Sequence, residues 1–123
     1  MSTATWQRVE SVAIAVGVVV VTVGAFGYAW WWLLALFLVF DLSALGYLAG
    51  PRVGAALYNA GHSYIGPVVA AAVFALKGAD AVMITALAWA FHIAADRALG
   101  YGLKETDDFQ HTHLGWMGKR GAR

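Results

Sequence analysis

The chain has 123 residues, of which 61% are hydrophobic and 12% charged, with a formal net charge of +1 and no cysteine. That length allows a single domain, residues 1–123, and a soluble fold of this size could not hide so much apolar side chain, so a bilayer is the better solvent. The small charge excludes a nucleic-acid binder with a basic patch, and the lack of cysteine excludes thiol catalysis, disulfides and thiolate metal sites.

Arg8 and Glu10 precede an apolar run from Val12 to Phe26, which predicts a first span over about 9–27. It reads as a transmembrane helix rather than a signal peptide, because the run is long and further spans follow. Gly17 and Gly24 are expected to allow close helix contact. A second span, about 30–49, opens on Trp30, Trp31 and Trp32, an aromatic group suited to the membrane interface, and carries one charge, Asp41. Gly50-Pro51-Arg52 makes a tight loop, and a third span follows over about 53–76. Gly61, Gly66 and Pro67 mark a kink or break within it. An alanine-rich fourth span covers about 80–99, and residues 100–123 form a polar, basic tail.

The predicted fold is therefore all-α, a four-helix transmembrane bundle with both termini cytoplasmic and a polar C-terminal tail. Four spans place Arg8, Arg52, Arg97, Lys104, Lys119, Arg120 and Arg123 on the terminal side and only Lys77 opposite, as the positive-inside rule requires for cytoplasmic ends. Lys119, Arg120 and Arg123 are expected at anionic lipid headgroups.

Polar residues inside the spans are few and fall at similar depth. At ~1.5 Å per residue, Asp41, His62 and His92 each lie roughly 12–14 Å inside the cytoplasmic end of their helices. Asn59 and Asp96 sit about one turn nearer that end, and His92 and Asp96 share a helix face at i, i+4. Because an ionisable group in hydrocarbon costs at least ~2.5 kcal/mol, such residues usually face a cavity, a partner or a ligand. Asp41, Asn59, His62, His92 and Asp96 thus predict a polar pocket opening to the cytoplasm. Histidine with carboxylate suits a divalent metal, Zn²⁺ with an open water position or Mn²⁺ or Mg²⁺ with more oxygen.

In this reading His62, His92 and Asp96 are metal ligands, and Asp41, His92 and Asp96 carry the chemistry. Tyr58, Asn59 and Arg97 would orient substrate or a ligand. His111 and His113, on the tail, would complete the site as further ligands; an extended His-Thr-His puts both imidazoles on one side. The bland alternatives are an Asp41–Arg97 pair, hydrogen-bonded packing histidines and a solvated tail.

Four motifs carry a resemblance: Asp41-Leu-Ser-Ala-Leu-Gly-Tyr47, Tyr58-Asn-Ala-Gly-His62, His92 through Asp96-Arg97-Ala-Leu-Gly-Tyr-Gly-Leu103, and Phe109-Gln-His-Thr-His113-Leu-Gly115. Between Trp30 and Gly115 the chain resembles a family of small four-helix bacterial membrane proteins, the DUF4260-like domain of unknown function. The resemblance implies a multi-pass protein of the bacterial cytoplasmic membrane and carries no activity with it.

The leading expectation is a metal-dependent membrane hydrolase acting on a lipid-like substrate. One alternative is a redox carrier with haem held axially by His62 and His92 between helices. Another is a structural or partner-binding membrane subunit, and alanine- and glycine-rich helices are compatible with a homo-oligomer.

Overall fold

The computed structural model describes residues 1–117, so the tail cations Lys119, Arg120 and Arg123 lie outside the described residues. Helix α1 spans Thr3–Val20 and runs on through one π turn, Val21–Ala25. Ser2 caps it, its Oγ accepting the Thr5 N–H at 3.1 Å. Buried Ser11 and Thr22 on this helix donate to Gln7 O and Val18 O, both at 2.7 Å, so neither hydroxyl is left unpaired in an apolar setting. Gly17 and Gly24 do not mediate close helix contact: nothing lies within 4 Å of where a side chain would start.

Helix α2, Trp32–Ala35, passes through Leu36 into a 3-10 segment, Phe37–Ala49. Thirteen residues is long for this conformation, whose hydrogen bonds are poorer than those of an α-helix. The greater rise per residue stretches Trp32–Ala49 to about 33 Å, against about 27 Å for an α-helix of the same length. That is enough to cross a hydrocarbon core of ~30 Å without extra residues.

The expected third span is two helices. Pro51–Gly61 forms α3 and Ile65–Lys77 forms α4, of 11 and 13 residues, with His62–Tyr64 between them. Pro67 lies in the first turn of α4, where a missing N–H leaves no helical bond unmade. Neither helix alone crosses a bilayer, since even thirteen residues reach only ~20 Å. Helix α5, Asp80–Leu99, is the longest at 20 residues. Among the described residues, three stretches are long and apolar enough to cross a membrane: Thr3–Ala25, Trp32–Ala49 and Asp80–Leu99. Their outward side chains, such as Val16, Leu38 and Leu48, are exposed, a surface consistent with contact to lipid.

Packing centres on α5. Helix α1 lies along one side of it and α4 along another, while α3 packs against the 3-10 segment. Glycine permits that last approach: a side-chain carbon on Gly54 would collide with Tyr47, and one on Gly61 would lie 2.7 Å from Ser43 Oγ. Helices α1 and α5 are tied at both ends. Arg8 Nε donates to Ala98 O at 3.0 Å, and Tyr28 Oη donates to Asp80 Oδ1 at 2.7 Å, a bond that pushes the Tyr28 phenol up to about 12.

After α5 the chain turns at Gly100, which has a φ of +96°. It then forms a short antiparallel hairpin of β1, His111–Thr112, and β2, Gly115–Trp116. The tail is clasped to α3 by Asn59, whose side chain accepts from Lys104 N at 2.6 Å and donates to Lys104 O at 2.8 Å.

Candidate metal centre

Three elements deliver one cluster of four residues. Asp41 comes from the 3-10 segment, His62 from the C-terminal end of α3, and His92 and Asp96 from successive turns of α5. The end of α3 is fixed beside α5 by Trp89, one turn before His92, whose indole Nε1 donates to Gly61 O at 2.6 Å. Arg97 Nη2 donates to His62 O at 3.4 Å. Thus the break after α3 presents a histidine rather than a loose loop.

The side-chain atoms converge. His62 Nε2 and His92 Nε2 lie 3.1 Å apart; Asp41 Oδ1 is 3.3 Å from the first and 3.1 Å from the second. Asp96 Oδ2 is likewise 3.3 Å and 3.1 Å from the two nitrogens. All four atoms fall within 4.8 Å of one another. The side chains of His92 and His62 are 0% and 4% exposed, Asp96 is 14% exposed, and Asp41 at 43% forms the open side.

Proton bookkeeping shows what this arrangement lacks. His62 Nδ1 lies 2.9 Å from Tyr58 O, a carbonyl that can only accept, so the proton of a neutral ring sits on Nδ1. Its Nε2 is then a bare lone pair facing two carboxylates and a second imidazole nitrogen. His92 Nδ1 is buried without a well-formed hydrogen bond and lies within reach of the Phe37 backbone, so it too would keep its proton away from the cluster. Four acceptors at van der Waals separation need a positive charge among them, either protons on the rings or a cation. A cation seated among them would lie roughly 2 Å from the two nitrogens and up to about 2.4 Å from the carboxylate oxygens, which stand within 4.8 Å of each other, close to the lengths of Zn–N and Zn–O bonds. Two carboxylates and two neutral imidazoles would leave a divalent ion electrically balanced. The residues present fit such an ion.

The surroundings hold the ligands rather than solvate them. Tyr58 stacks on His62 with ring centroids 3.8 Å apart and planes at 6°, and Phe37 packs on His92 at 4.3 Å. Ser43 Oγ lies 3.3 Å from His62 Nδ1. Such partners fix ring orientation around a metal. Lys104, only 4% exposed, holds its ammonium 4.9 Å from the Tyr58 ring centre and 4.0 Å from that of Phe109. Burial there pushes the ammonium below the usual lysine value.

Of the residues singled out from the sequence, Asp41, His62, His92 and Asp96 meet, and Tyr58 stacks on one of them. Asn59 instead anchors the tail, and Arg97 holds the His62 backbone while lying over the Tyr64 ring at 4.8 Å. Asp41 faces the two imidazoles rather than Arg97. The structure does not bring the tail histidines to the cluster. His111 Nδ1 pairs with Asp107 at 2.8 Å and its ring stacks on Trp116, while His113 accepts from Leu103 N at 2.8 Å and meets Gln7 Oε1 at 2.9 Å. Burial and the nearby Arg97 charge push His113 below the usual histidine value. Trp89, Ser43 and Lys104 escaped the sequence reading as site residues. Only the i, i+3 spacing of Trp89 from His92 pointed to the first.

The model of a family described as Domain of unknown function (DUF4260) matches residues 4–117. No curated protein and no solved structure matches the chain.

Proposed function

The chain belongs to the DUF4260 family, a domain of unknown function, and we propose that it is an integral membrane protein with one divalent metal ion bound by His62, His92, Asp96 and Asp41. The single observation behind this reading is the convergence of two imidazole nitrogens and two carboxylate oxygens, 3.1–3.3 Å apart across the nitrogen–nitrogen and nitrogen–oxygen pairs. Two imidazoles and two carboxylates favour zinc, with manganese or magnesium less well served by the nitrogens.

Hydrolysis is the reaction class this donor set supports best. A bound ion of this kind lowers the pKa of water and polarises an ester or phosphoryl oxygen. The chain's own part is division of labour. His62, His92 and Asp96 are buried and fixed, whereas Asp41 stands at the open side, where it can yield its place or take a proton from an incoming water. Leu38, Leu42 and Leu45 are exposed on the same 3-10 segment as Asp41, which gives that segment an apolar outer surface. An amphipathic, lipid-like substrate suits such a surface. The distribution of Arg8, Arg52, Arg97 and Lys104 against Lys77 supports cytoplasmic termini.

Haem through the same two histidines fits poorly. Trans axial nitrogens would stand ~4 Å apart across an iron with bonds near 2 Å, and here the gap is 3.1 Å with a carboxylate oxygen on either side.

The test is metal content and an absorption spectrum of protein purified in detergent without chelators, wild type beside His92→Ala and Asp41→Asn. The expected result is about one zinc-class ion per chain and no haem band, the ion lost in His92→Ala and retained more weakly in Asp41→Asn. Wild-type protein that stays metal-free after incubation with zinc would refute the metal site and leave a structural or partner-binding role.

A further inference from the structure

At the end of the molecule where α1 begins and α5 ends, the hairpin closes over a cavity of about 340 Å³. Its wall includes Thr5 and Arg8 of α1, Gly100 and Tyr101 after α5, and Trp116 of β2. Among the described residues no acidic side chain lines it. Among the described residues no carboxylate pairs with Arg8, whose Nε alone is engaged, on Ala98 O. Its two remaining nitrogens keep their donors. Gly100 lies beside the guanidinium, close enough that a carbon there would touch Arg8 Cζ at 3.8 Å. The carbonyls that end α5 are already met: Asp96 O by Tyr101 N, Arg97 O by Gly100 N, and Ala98 O by Arg8. The two Arg8 Nη atoms are therefore spare charged donors on the cavity wall, where an anion can be met; the Thr5 hydroxyl beside them shares a 2.9 Å hydrogen bond with Ser2 Oγ.

Thr5 and Arg8 also line a second cavity, of about 260 Å³, completed by Val9, Val12 and Ala98. The two spaces share Thr5 and Arg8 as walls, so a polar chamber and an apolar groove lie side by side along the first turns of a membrane-spanning stretch. Tyr101 and Trp116 stand at the polar end, as amphipathic rings do at the headgroup level. One molecule has this division of polarity and charge.

We propose that this cleft binds a single anionic phospholipid, its phosphate on the Arg8 guanidinium and the Thr5 hydroxyl and one acyl chain along Val9 and Val12. The site is separate from the metal centre and does not depend on it.

Native mass spectrometry of the full chain, in micelles holding equal amounts of dioleoyl-phosphatidylglycerol and dioleoyl-phosphatidylcholine, tests this. Wild-type protein should retain one phosphatidylglycerol with a preference of ~5-fold, the value of one cation at the headgroup level. Arg8→Gln should abolish the preference. Val12→Trp, which fills the groove but keeps the Arg8–Ala98 bond, should reduce retention of both lipids; it decides the matter if Arg8→Gln does not fold. Absence of preference in wild type, or retention unchanged in Val12→Trp, overturns the proposal. Displacement of the lipid by millimolar inorganic phosphate would assign the chamber to a free anion and overturn it equally.

Discussion

Gly61 is a close approach between α3 and the 3-10 segment beside the cluster, and Gly61→Ala should disturb the proposed metal centre from outside it. The new methyl would stand 2.7 Å from Ser43 Oγ and 2.8 Å from Ser43 Cβ. Rotating Ser43 moves only its hydroxyl, so the Cβ contact remains about 0.6 Å short of ordinary van der Waals approach and the backbones must part by a similar amount. His62 follows Gly61 directly and Asp41 lies two residues before Ser43. A shift of that size exceeds, roughly threefold, the ±0.2 Å that metal–ligand distances tolerate. Zinc affinity should fall ~10–100-fold, the range typical of lost support around a ligand, or about 1.4–2.7 kcal/mol. The metal-free protein should be no less helical, since alanine is the better helix former by ~1 kcal/mol. Competition against a chromophoric zinc chelator in detergent gives the affinity, and Ser43→Gly in the Gly61→Ala background should restore most of it. An unchanged affinity in Gly61→Ala, or a loss that Ser43→Gly does not rescue, would refute the argument that this contact sets the Asp41–His62 spacing.

Two further expectations concern the tail. Asn59→Ala leaves both backbone groups of Lys104 without partners, at a cost of ~1–3 kcal/mol for each that stays buried; limited proteolysis should then cleave near Tyr101 and Lys104 faster, and equal cleavage rates would count against the clasp. Lys104→Met keeps the volume against Tyr58 and Phe109 while removing a charge that burial disfavours. The penalty on the lysine is complete below its lowered folded value and is relieved as pH rises through that value toward the ordinary one. The variant should therefore melt higher than wild type at neutral pH, with the gap closing in the alkaline range; a gap independent of pH would contradict this.

The sequence made some of this legible and hid the rest for physical reasons. Helix α5 was readable end to end, because an alanine-rich run stopped by Gly100 has one helical reading, and His92 with Asp96 at i, i+4 follows from it. The break around His62 was signalled by Gly61, Gly66 and Pro67, although not that it divides the span into two helices too short to cross alone. The 3-10 segment gave no such sign. Its stripe of Phe37, Phe40, Ser43 and Gly46 repeats every third residue and turns toward α3 and α5, where Phe37 and Phe40 pack on His92 and Gly46 on Leu57. An α-helical rise set Asp41 about 13 Å from Gly50, whereas a 3-10 rise sets it at ~18 Å. Equal depth by counting was thus sound for His92 and fortuitous for Asp41. The tail histidines misled because their alternation fits an extended strand, while their partners, Asp107, Leu103 and Gln7, depend on contacts that spacing does not encode.

The thirteen-residue 3-10 segment also makes the centre mechanically coupled to backbone winding. Rewinding Phe37–Ala49 as α-helix would shorten it by ~6 Å, at ~0.5 Å per residue, and turn Asp41 away from the face it now presents. The other three residues of the proposed site sit on α3 and α5 and would stay. One hydrogen-bond register along the segment therefore holds four candidate ligands together and the other holds three, so the pitch of one stretch of backbone would set the coordination number offered to an ion.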